Sequence, residues 1–94
     1  MEVSLYRVAP PRGAAANISG GPGVMTAVGF AALLRRHLDS RDAVEHIRVS
    51  AAGCGFGVAV FTSEHSQARS DDTARRLIHR ALASEPDLRL WRIV

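Results

Sequence analysis

The order in which two hydrophobic periods alternate along this chain constrains its fold more than any other feature. Val3 to Ala9 carries β-favouring Val, Tyr and Val among polar residues and reads as a strand. Pro10 and Pro11 end it, because proline cannot donate to a ladder. A helical stripe follows over Ala27 to Leu38, with Phe30, Leu33, Leu34 and Leu38 on one face and Thr26 as its N-cap. Val44 to Ser50 returns to a strand pattern, half polar through Glu45, His46 and Arg48. Ala51 to Gly55 supplies a turn, and Phe56 to Thr62, the most continuously apolar segment, reads as a central strand. A second helix begins with Ser70 as its cap and places Ala74, Leu77, Ile78, Ala81 and Leu82 on one face. Pro86 stops it, and Leu88 to Val94 reads as a last, edge strand.

Two helices that must each bury one stripe are both satisfied on one side of a sheet. The expectation is an α+β chain: a four-stranded antiparallel sheet with two helices on one face. At 94 residues it forms a single domain over 1–94, interrupted by a long Gly/Ala/Pro-rich loop over 10–23. This resembles the ferredoxin-like βαββαβ arrangement, in which right-handed crossovers bring strands one and three to the centre. The second sheet face is then left open, and function is expected there or in the 10–23 loop.

Composition removes several classes of function. All 12 basic residues are Arg, which suits bidentate recognition of phosphate or carboxylate but also follows from codon bias in a GC-rich genome. The formal charge of +3 is modest for a dedicated nucleic-acid binder. A single cysteine, Cys54, excludes an internal disulfide framework. His37, His46, His65 and His79 share no ligand spacing, so neither a metal nor a cofactor is expected. The segment Met1 to Arg7 lacks the pattern of a signal peptide, and no run approaches 18 apolar residues. A cytoplasmic chain with no membrane partner is the expectation.

Two glycine clusters bear on chemistry. Gly53-Cys54-Gly55-Phe56-Gly57 precedes a strand, whereas a phosphate cradle needs glycines before a helix. Gly20-Gly21-Pro22-Gly23 does precede the first helix, so the amides of Gly21 and Gly23 are candidate anion contacts. Pro22-Gly23-Val24-Met25-Thr26-Ala27-Val28 is similar to the turn that opens the first helix of ACT domains. That resemblance implies a small-molecule sensor that pairs its sheets or helices, although Gly20 stands where the family usually has Asp. Gly55-Phe56-Gly57-Val58-Ala59-Val60-Phe61 resembles the third-strand motif of the RNA-recognition motif, with Cys54 at its basic position and Val58 at a stacking position.

Period two leaves either Phe56, Val58 and Val60 or Gly57, Ala59 and Phe61 toward the helices. In the first case Phe61 lies on the open face, expected beside Tyr6 and Trp91. Trp91 has two readings, an exposed interface anchor or a cap on the core at the sheet edge. The leading expectation is a non-enzymatic binding or oligomerisation module, a homodimer joined through the open face or an edge strand. A second is single-stranded nucleic-acid binding through Arg48, Arg89, Arg92, Tyr6 and Trp91. A third is a cofactor-free dimeric enzyme, resembling small monooxygenases and cyclases, using Tyr6, His46, Arg48 and Trp91. The partner is accordingly a second copy or another protein, with nucleic acid or a small molecule as the other candidates.

Overall fold

A computed structural model describes residues 1–11 and 25–94. The elements run β1 (Glu2–Ala9), α1 (Ala27–Arg36), β2 (Val44–Ala52), β3 (Gly55–Thr62), α2 (Gln67–Ser84), a 3-10 turn (Pro86–Leu88) and β4 (Arg92–Ile93). Every strand pairing is antiparallel, and the spatial order is β2-β3-β1-β4. Strands one and three are therefore central, the place expected for them from right-handed crossovers.

The register fixes which side chains share a face. Val8 stands opposite Phe56, Tyr6 opposite Val58, and Ser4 opposite Val60. On the other edge Ile47 stands opposite Val60 and Val49 opposite Val58. Both helices cover this set. Val8, Ile47, Phe56, Val58 and Val60 form one buried cluster with Phe30, Leu33 and Leu34 of α1 and with Ala74, Leu77, Ile78, Ala81 and Leu82 of α2. Each fully buried large side chain of that cluster is worth about 1.5–3 kcal/mol over an exposed one. Phe30 stacks on Phe56 at a centroid separation of 5.2 Å, tying α1 to the middle of the sheet.

The β2–β3 hairpin closes through Gly53 and Cys54, and Gly53 has φ +60°, a backbone region that glycine enters without a Cβ penalty. Gly55 is needed for a different reason. A Cβ there would stand 1.9 Å from the Val8 carbonyl oxygen, so only hydrogen lets β3 approach β1 this closely.

Several expected boundaries change. The turn expected over Ala51 to Gly55 narrows to Gly53 and Cys54, because β2 runs on to Ala52 and β3 starts at Gly55. Helix α2 starts a turn earlier than its apolar stripe suggests, with Ser66 as the N-cap accepting from the Arg69 amide at 3.2 Å. Ser70 lies inside the helix, fully buried, and its stripe continues backward through Thr73 and Ser70. The last strand is far shorter than Leu88 to Val94. Pro86 presets φ for a 3-10 turn, in which the Leu88 and Arg89 amides reach Glu85 and Pro86 carbonyls. That turn buries Leu88 and leaves Leu90 72% exposed, so the two do not share a face as strict alternation requires. Helix α1 ends at Arg36 rather than Leu38.

Candidate functional site

The face turned away from the helices is read directly from the ladder. Its rows are His46–Phe61–Val3, Arg48–Ala59–Leu5 and Ser50–Gly57–Arg7. Arg92 joins this face opposite Ala9 on the short β4. Neither α1 nor α2 packs here, and Leu5 is 73% exposed, with Val3 and Val94 also open.

The middle strand contributes only Gly57 and Ala59 between taller neighbours, and this creates an open trough of about 620 Å³. Arg48 and Ser50 line one side, Leu5, Arg7 and Val94 the other, and Phe61 one end. His46 leans against Phe61 with ring centroids 5.6 Å apart, which keeps that aromatic half-buried. Arg7 reaches across β3 toward the hairpin: its Nη2 lies 3.8 Å from the point where a Gly53 Cβ would stand. No acidic side chain lines the trough. The ion pairs among the described residues, Arg76–Asp72 at 3.0 Å and Arg80–Asp42 at 2.8 Å, belong to α2. All nine acidic side chains are among the described residues, so Arg7 and Arg48 have no carboxylate side-chain partner.

The structure brings together four of the residues singled out from sequence: His46, Arg48, Phe61 and Arg92 share the open face. It sends three elsewhere. Tyr6 stands on the helix side, where its hydroxyl donates to the Asp71 carbonyl oxygen at 2.9 Å. Trp91 stacks on Phe56 at 5.7 Å with an interplanar angle of 20°, packed against the core and half-buried. The core-capping reading of Trp91 is the observed one, because the 3-10 turn reverses the side that strict strand alternation gives it. Arg89 is exposed on that same turn, outside the sheet. Gly21 and Gly23 lie outside the described residues.

Sequence reasoning missed Leu5, Arg7 and Gly57 as trough residues. The signal was present: Arg7 and Leu5 fall on the parity opposite Tyr6 and Val8, so the phase of strand one determines their side. It also missed a buried polar chain beneath α2. Thr62 Oγ1 donates to Ser70 Oγ at 2.9 Å, Ser70 and Ser4 hydroxyls meet at 2.7 Å, and Ser4 donates to Asp71 Oδ1 at 2.7 Å. Gln67 Nε2 donates to the same carboxylate at 2.9 Å. The Ser4 and Gln67 hydrogen bonds hold the Asp71 carboxyl below its ordinary value. The chain is internally satisfied and positions α2 over β1 and β3; it faces away from the trough.

Chemically, the trough offers two guanidiniums, a hydroxyl, a shallow floor and an apolar rim. That combination suits binding of something planar and negatively charged. No known family, curated protein or solved structure matches the chain.

Proposed function

We propose that this chain is a non-catalytic binding and self-association module that works through its uncovered sheet face, pairing with a second copy of itself. The observation that carries this reading is the gathering of Leu5, Val3, Val94 and Phe61 on one face that neither helix covers. Contiguous exposed apolar surface of this kind marks an interaction site, whereas scattered single residues do not. The central position of strands one and three supports the ferredoxin-like reading of the chain order, in which the open face is the part free to engage a partner.

The geometry favours this reading over the two others. Stacking of bases needs exposed rings; Tyr6 and Trp91 are committed to the helix side, and the open face keeps a half-buried Phe61 with the His46 imidazole leaning on it. The four groups expected to serve a cofactor-free enzyme are divided between the two faces, His46 and Arg48 on one, Tyr6 and Trp91 on the other. Light scattering on the purified chain at micromolar concentration tests the proposal. The expected mass is twice 10.1 kDa, and a monomer across the micromolar range contradicts it.

A further inference from the structure

We propose that the trough on the open sheet face is a binding site for a small organic anion, a carboxylate or phosphate carried on a flat apolar body. The inference rests on the reading above, in which the open face is the working surface, and adds the chemistry of what it holds.

Charge carries the argument. Arg48 and Arg7 border the same trough from β2 and β1, and strand spacing puts their Cα atoms about 12 Å apart on the diagonal. Two extended arginine side chains can both reach one anion above the floor from that distance, Arg7 by turning back from Gly53, where its Nη2 lies. All the acidic side chains of the chain lie elsewhere, so these guanidiniums lack an internal counter-charge of that kind. Guanidinium forks bind carboxylate and phosphate oxygens in pairs, and Ser50 adds a hydroxyl beside Arg48.

Shape supplies the rest. Gly57 and Ala59 form the floor because anything larger fills the trough. A Cβ on Gly57 would already stand 3.4 Å from Ser50 Oγ. Leu5 and Phe61 border that floor with apolar surface, the complement of a ligand's flat body rather than of its charged end. Self-association strengthens the case. Two copies meeting on this face bring four guanidiniums together, and like charges across an interface are unfavourable without counter-ions. An anion in each trough removes that repulsion.

The test uses three probes, 1-naphthoate, its neutral analogue 1-naphthamide and inorganic phosphate, titrated calorimetrically into the full chain. Naphthoate is expected to bind at least tenfold more tightly than naphthamide, with phosphate weaker than naphthoate. Arg48→Gln and Arg7→Gln are each expected to weaken naphthoate about tenfold. Ala59→Ile, a substitution that suits a strand, is expected to abolish binding with an unchanged circular dichroism spectrum. Equal affinity for naphthoate and naphthamide overturns the proposal, as does no binding of either anion at millimolar concentration. Tighter binding of a mixed single-stranded oligonucleotide than of naphthoate, lost in Arg48→Gln, also overturns it in favour of a nucleic-acid surface. Light scattering on the same samples separates the two claims. A dimer that binds no anion removes this inference and leaves the self-association reading standing; a monomer that binds naphthoate removes the pairing and keeps the site.

Discussion

Asp71 shows how a single side chain links sequence to stability here. Its carboxylate accepts from Ser4 at 2.7 Å and Gln67 at 2.9 Å, and both bonds favour the charged form. Its folded-state value therefore lies below the ordinary 3.8. A lowered value contributes stability that is present above the unfolded value and is lost as pH falls through the folded one. Comparing wild type with Asp71→Asn by denaturant unfolding is expected to show a stability difference that holds from neutral pH down to about pH 5. The difference should shrink progressively as pH falls below 3.8. A difference that grows in acid contradicts the assigned role. This pairing was not legible from the sequence, because Ser4 and Asp71 are brought together only when α2 crosses β1. The same holds for Ser70, whose position ahead of two aspartates gives it every local mark of a helix cap. Its hydroxyl finds partners on Ser4 and Thr62 instead, and Ser66, a turn earlier, takes the cap.

At the scale of elements, periodicity carried most of the information. The stripes of α1 and α2 and the apolar run of β3 were readable because each is a local pattern with a fixed period. The stretch after α2 was not. Leu88, Leu90, Trp91 and Ile93 look like a strand, but Pro86 starts a 3-10 turn that changes the phase before β4 begins. Trp91 consequently covers Phe56 and the core at the sheet edge. Trp91→Ala is expected to cost about 2–4 kcal/mol by chemical denaturation, somewhat less than a fully buried tryptophan, with self-association unchanged. A loss of association at unchanged stability contradicts that placement. The candidate site shows the same division. Alternation in strand three named Phe61 as one of two possible outward residues, and β2 offered His46 and Arg48. The choice between the two faces depended on how the helices pack, which the strand alone does not encode.

For the molecule as a whole, the asymmetry of the sheet is the central point. One face carries a closed core, and the other carries a trough without acidic side chains, rimmed by Leu5, Phe61, Arg7 and Arg48. If the open face is the working surface, its apolar residues matter for association while equally exposed residues elsewhere do not. Leu5 on the open face and Val28 on α1 make the comparison, being 73% and 80% exposed. The decisive measurement is the solution mass of Leu5→Asp and Val28→Asp by light scattering, beside their unfolding midpoints. The account predicts that Leu5→Asp falls to 10.1 kDa while Val28→Asp keeps the doubled mass, both remaining folded. A folded Leu5→Asp protein that stays paired, or loss of pairing in Val28→Asp alone, contradicts it.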